Sequence, residues 1–195
     1  MKNALLALCF ALSLAPTAAN AKSETFKIDS GASKATWEGS KLGGKHNGEL
    51  KIKEGELLVE KGALSGGNVV IDMTSLTDTD ISDPGMNTKL VNHLKNDDFF
   101  AVDKHPTSSL KITKVEKKNG KTLVTGDLTI KGITKPVTFP ADVKVDKKGL
   151  KATGEITVDR TQYDIKFRSL KFFSDIGDKV IHDTFKVGFD LSASK

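Results

Sequence analysis

Cysteine is nearly absent from this sequence: the 195-residue chain has one, Cys9. It lies in an N-terminal apolar run that reads as a removable leader, so the rest of the chain carries no thiol. That excludes disulfides, cysteine–metal chemistry and a cysteine nucleophile, and it leaves burial and hydrogen bonding to hold the fold. Arginine is almost as scarce. Of 30 cationic residues only Arg160 and Arg168 are arginine, against 25 acids and a formal charge of +5. Bidentate recognition of phosphates and base edges relies on arginine. The basic balance therefore describes a solvated lysine surface, and a nucleic-acid partner is not expected. No Pro/Ser-rich linker, low-complexity tract or short repeat divides the chain, which reads as one domain behind its leader.

That leader has three parts. Met1-Lys2-Asn3 is a short positive segment, Ala4 to Ala15 is apolar, and Ala19-Asn20-Ala21 is a small-x-small signal ahead of polar Lys22. This is the order of a secretory signal peptide. It predicts cleavage after Ala21, a mature domain over 22–195, and a periplasmic or secreted location. Loss of Lys2 alone takes the charge from +5 to +4. A membrane anchor needs about 20 apolar residues, more than this run supplies. A lipid-bearing cysteine would end the run, whereas Cys9 sits inside it.

Most of the mature region alternates apolar and polar residues with period two, the pattern of strands with one buried face. In 184–192, Phe185, Val187, Phe189 and Leu191 face one way while Lys186, Gly188 and Asp190 face the other. Leu50/Ile52, Leu110/Ile112, Leu128/Ile130 and Ile156/Val158 repeat the pattern. Turns are read at Asn47-Gly48, Glu54-Gly55, Gly66-Gly67, Asn119-Gly120 and Lys147-Lys148-Gly149. One segment departs from alternation. Asp83-Pro84 supplies an N-cap and a first-turn proline, and Met86, Leu90, Val91 and Leu94 share a helical face, predicting a helix over 84–96. Asp97 to Phe100 closes it, and 175–183 reads as a loop or short turn.

About eight strands and one helix in a chain of this length must hide their edges, and closure removes the edges altogether. The predicted fold is all-β, a closed antiparallel barrel, with a two-sheet sandwich as the structural alternative. A barrel of about eight strands is wide enough to be filled by its own side chains or to hold one small ligand. The candidate lining is Trp37, Leu50, Ile52, Leu110, Ile112 and Leu128, continuing with Ile130, Ile156, Val158, Phe185, Val187 and Phe189. Small residues at Ala35, Gly126, Gly154 and Gly188 favour room for a guest. Phe99-Phe100 and Phe172-Phe173 are adjacent pairs, so in extended chain one ring of each would point inward.

Catalytic signatures are missing. There is no G-x-S-x-G, H-E-x-x-H or glycine-rich phosphate loop. His46, His93, His105 and His182 show none of the short spacings of paired metal ligands. His93 is within reach of Asp97 or Asp98. The carboxylate pairs Asp78/Asp80, Asp97/Asp98 and Asp175/Asp178 read as loop solvation and capping. Asp159-Arg160 reads as a structural salt bridge at a strand end, with a second reading in which Arg160 meets a ligand head group. Neither an enzyme activity nor a cofactor or metal is expected.

Several motifs, in order, carry a resemblance. Gly126–Phe139 (GDLTIKGITKPVTF) and Leu90–Pro106 (LVNHLKNDDFFAVDKHP) are joined by His46-Asn47-Gly48, Asp72–Leu76 (DMTSL) and Asp159-Arg160-Thr161. Together they are similar to the YceI-like family, secreted lipocalin-like proteins that bind polyisoprenoids and other lipids. Ala35-Thr36-Trp37 stands where true lipocalins carry Gly-x-Trp. The resemblance implies a helix near the barrel mouth, a tunnel for a long chain-like lipid and no catalytic residues. Lys131 and Lys135, flanking Gly132, and Arg160 are the head-group candidates. At about 0.3 kcal/mol per atom, a guest of about 30–40 carbons would bind with about 9–12 kcal/mol. The alternative is a structural or stress-related barrel with a packed interior that acts through a protein partner. A hydrolase acting on small esters or phosphates ranks third.

Overall fold

Alternating residues become strands over nine segments of the described residues: β1 (Glu24–Ile28), β2 (Lys34–Lys41), β3 (Gly44–Glu60), β4 (Ala63–Asp72), β5 (Thr107–Lys118), β6 (Lys121–Ile130), β7 (Ile133–Val145), β8 (Leu150–Asp159) and β9 (Ile181–Ser194). A computed structural model describes residues 23–195 apart from Asn119. The expected signal peptide and Asn119 of the Asn119-Gly120 turn lie outside the described residues. The strands form one antiparallel sheet that closes on itself through β3–β4. β1 and β2 each pair with both β3 and β9, so they share one position and the ring has eight. The closed barrel is the predicted one.

Its two ends differ in their connections. The β3–β4, β5–β6 and β7–β8 turns lie at one end, each only a few residues long. At the other, which we call the helix end, are the β2–β3 and β6–β7 turns and the long β4–β5 and β8–β9 connections. The β4–β5 connection carries α1 (Pro84–Lys95), in agreement with the prediction. The Asp83 carboxylate accepts the Met86 N–H at 2.7 Å, satisfying one of the donors a helix start leaves free. Leu94 is buried and Leu90 and Val91 pack on the core, but Met86 is 57% exposed. The buried stripe starts a turn later than the spacing suggests.

Three expected turns are strand instead. Asn47-Gly48 and Glu54-Gly55 lie within β3, and Gly66-Gly67 within β4. These glycines mark close approach, not reversal: a Cβ on Gly48 would meet the Thr77 carbonyl oxygen at 1.8 Å, and one on Gly55 the Asn68 oxygen at 2.6 Å. The reversals fall at Lys61-Gly62 and Lys131-Gly132, where both residues have positive φ as tight hairpins require.

The β7–β8 ladder runs only from Ala141↔Gly154 to Val145↔Leu150. Pro136 and Pro140, with no N–H to donate, occupy the half of β7 that lacks this partner. The wall between β7 and β8 therefore parts toward the helix end, where Arg160–Tyr163, a 3-10 turn, packs beside it.

Candidate functional site: an apolar cavity open at the helix end

The inner faces of the strands surround a cavity of about 320 Å³. That is at the lower end of the range for ligand sites, about 300–1,000 Å³. Every apolar residue chosen from the alternation borders it: Trp37, Leu50, Ile52, Leu110, Ile112 and Leu128, and Ile130, Ile156, Val158, Phe185, Val187 and Phe189. Several of these inward-facing side chains, among them Leu110, Ile112, Phe185, Val187 and Phe189, are only half-buried. Their free surface faces the cavity.

Polar groups on the wall gather at the helix end. The β2–β3 hairpin contributes Ser40, Lys41 and His46, the start of β5 Ser108 and Ser109, α1 His93, and the β8–β9 connection with the start of β9 Arg160, Arg168, His182 and Thr184. Lys41 and Arg168 are exposed as well as bordering the cavity, so it meets solvent there. At the opposite end Phe26, Val59 and Leu150 are 0%, 2% and 1% exposed and lie outside the cavity wall. They plug it.

The small inner residues have another explanation than room for a guest. A Cβ on Gly154 would strike the Phe189 ring at 2.6 Å, and one on Gly126 the Lys111 carbonyl oxygen at 2.7 Å. Gly188 pairs with Thr36 on the outer face. Of the four only Ala35 borders the cavity. The adjacent phenylalanines also depart from expectation. The chain turns at 97–100, so Phe99 and Phe100 both reach the cavity, whereas Phe172 and Phe173 are 46% and 47% exposed. With Leu42, Met86 and Leu170 they are large apolar side chains left on the connections of the helix end.

The head-group candidates are corrected. Lys131 sits in the β6–β7 turn, and its Nζ donates to the backbone oxygens of Asp97 and Asp164 at 3.2 and 3.1 Å. It clamps the two long connections together. Lys135 stands opposite Leu128 on β7. Neither borders the cavity. Arg160 does, but its guanidinium is committed: it donates to the carbonyls of His182, Ile165 and Ile181 at 3.0, 2.8 and 2.9 Å. Its ion pair is with Asp183, 3.6 Å away, and not with neighbouring Asp159. Arg160 staples the β8–β9 connection. Asp159 instead accepts from the Thr161 N–H and hydroxyl and pairs with Lys171 at 2.9 Å. Burial alone would raise the Asp159 pKa, but Thr161 and Lys171 outweigh it and hold the carboxyl below its usual range. Nearby, burial pushes the Tyr163 hydroxyl up to about 12, and that hydroxyl has no hydrogen-bond partner among the described residues.

The exposed cations that border the cavity, Lys41 and Arg168, were not foreseen. The only sequence signal was a lysine beside the Gly43-Gly44 turn and the scarcity of arginine itself. His93 lies where expected, with Nε2 at 3.1 Å from Asp98. Its ring also stacks edge-on against Phe99 and Phe167, with centroids 5.0 and 4.8 Å apart.

Residues 26–193 match the sequence profile of the YceI-like domain, the whole barrel but for its outermost residues. The chain belongs to the YceI-like family. Among curated relatives, this YceI-like chain is 34% identical over 95 residues to a UPF0312 protein of Photorhabdus laumondii, a stretch that is 45% of each chain. It is 41% identical over 76 residues to one from Vibrio parahaemolyticus, 38% of this chain and 36% of that one. The chain thus matches less than half the length of these relatives. The fold of BcnA from Burkholderia cenocepacia superposes with a TM-score of 0.69 at 20% identity, covering 86% of this chain and 99% of that one. A domain from Saccharophagus degradans, described as polyisoprenoid-binding and implicated in plant cell wall breakdown, gives 0.61 at 14% identity, covering 87% and 97%. At such identities the likeness is one of fold. Among the described residues no helix is long and apolar enough to cross a membrane.

Proposed function

We propose that this protein is an exported lipid-binding protein that holds a polyisoprenoid or other long-chain lipid in the barrel cavity, as carrier or store. The observation that carries this reading is the half-buried inner face. Phe185, Val187 and Phe189 keep apolar surface turned to the cavity, and a guest that covers it gains about 0.8 kcal/mol per buried CH₂. The packed-interior alternative needs those side chains shut away. The polyisoprenoid-binding description of the Saccharophagus domain supports the same ligand class.

The lipid enters at the helix end. That end carries the solvent-facing cations Lys41 and Arg168 and the exposed Leu42, Leu170, Phe172 and Phe173. A charged head group rests between Lys41 and Arg168 while the chain runs toward the plug at Phe26. Removal of residues 1–21 on export leaves the barrel free in the periplasm or outside the cell.

Native mass spectrometry of the protein purified from its own export compartment, with lipid extraction, tests the reading. A hydrophobic mass is expected to copurify with the wild type and to be reduced in Val187→Trp, whose ring narrows the cavity, with the melting temperature checking that the variant folds. A wild-type chain that is always bare, and takes up no long-chain lipid from micelles, overturns it.

A further inference from the structure

The loop after β4 brings three side chains of ligand type together at the rim. His46, near the start of β3, places Nδ1 3.0 Å from Asp80 Oδ2. The other Asp80 oxygen accepts the Asn47 N–H at 2.7 Å. Asp78 is 7% exposed. Its Oδ1 accepts the Ile81 N–H at 2.9 Å and the Asn87 side-chain amide at 3.1 Å. Its Oδ2 is buried and has no hydrogen-bond partner among the described residues. One donor atom from each of His46, Asp78 and Asp80 lies within 4.8 Å of the others.

This is not a loose surface loop. The Thr77 and Thr79 N–H groups donate to the Glu49 and Asn47 carbonyls at 3.1 and 3.0 Å. The Trp37 indole N–H donates to the Thr77 oxygen at 2.9 Å. Gly48 has no Cβ to obstruct that crossing. The loop is therefore laid down along β3 in one position, and Asp78 is held in place with a carboxylate oxygen that no described residue satisfies. A buried unpaired acceptor is costly, more so when charged, and its neighbour Asp80 is a second acid. Two carboxylates beside an imidazole call for a positive charge between them.

We propose that His46, Asp78 and Asp80 form a binding site for a divalent transition-metal ion, with zinc the best fit. One imidazole nitrogen and two carboxylate oxygens suit zinc or manganese, whereas calcium and magnesium favour all-oxygen shells. Ligands of a tetrahedral zinc stand about 3.4 Å apart when each is about 2.1 Å from the ion. Drawing the three donors in by about 1 Å reaches that spacing, and His46 and Asp80 are partly exposed. His46 also borders the cavity, whereas Asp78 and Asp80 do not. Zinc binding here requires no lipid, so it stands or falls apart from the lipid reading.

The test is calorimetric titration of the untagged, chelator-treated protein with zinc, and with magnesium in parallel. One zinc per chain is expected, with magnesium much weaker. His46→Gln and Asp80→Asn, both part-exposed, are expected to fold and to weaken zinc at least tenfold. Asp78→Asn is expected to lose the zinc-dependent rise in melting temperature seen in the wild type. Absence of stoichiometric zinc binding at micromolar concentrations overturns the site, as does unchanged affinity in His46→Gln. A wild-type melting temperature indifferent to zinc, with Asp78→Asn simply more stable, would mean that the two carboxyls share a proton and hold no metal.

Discussion

At one end of the barrel Phe26, Val59 and Leu150 are shut from solvent beneath short turns. At the other, Lys41 and Arg168 stand exposed beside an apolar hollow, under the two long connections. The same alternating strands run through both ends. What differs is what caps them: at the plugged end the inner side chains meet one another, and at the helix end they meet a cavity. Access is thus concentrated at the helix end, where Arg160 and Lys131 add side-chain bonds to loop carbonyls beside buried residues such as Leu94 and Ile165.

The sharpest way to break this contrast is to truncate the same residue type at each end. Phe26→Ala is expected to cost about 3–5 kcal/mol in denaturant unfolding, as for other fully buried phenylalanines. Phe185→Ala is expected to cost about 1–2 kcal/mol, because its ring already has free surface. Equal losses would mean that the interior is continuous from end to end and that the two ends do not differ.

Arg160→Met tests how the open end is held. It leaves the His182, Ile165 and Ile181 carbonyls without donors, at about 2–3 kcal/mol. The loss is expected locally: hydrogen exchange should quicken across 160–181 while β1 and the start of β8 stay protected. Uniform loss of protection would make Arg160 part of the global core.

The smallest effect is that of acid. Asp72, Asp80, Asp97, Asp159 and Asp164 all lie at the helix end with lowered pKa values, against Asp146 at the plugged end. A carboxyl whose folded pKa lies below its unfolded value of about 3.9 stabilises the fold above that value. The contribution is lost as pH falls through the lower, folded value. Acidification below about pH 4 is therefore expected to loosen 73–106 and 160–180 before the plugged end, read by hydrogen exchange at stepped pH. Simultaneous loosening at both ends would show these interactions to be surface pairs of little weight.

The reach of the sequence follows the range of the interactions involved. Alternation at Leu110/Ile112 or Phe185–Phe189 is local, so strands, inner faces and the cavity lining were readable, as was α1 from Asp83-Pro84. Glycines misled for the opposite reason. Gly48 and Gly55 look like turns, yet what demands them is backbone from Thr77 and Asn68, distant in sequence. Lys131 beside Gly132 looked like a mouth residue, but its ammonium is drawn to carbonyls of Asp97 and Asp164 that no local pattern brings near.

Period-two hydrophobicity by itself determined that this chain forms strands with one oily face, and the order of its motifs determined its family. Only the tertiary structure decided which end opens, which cations face the hollow, and that His46 meets Asp78 and Asp80. A side chain's face is set by its immediate neighbours along the strand. Its partners across the barrel mouth are set by how loops more than thirty residues apart are pinned together, which pattern alone does not encode.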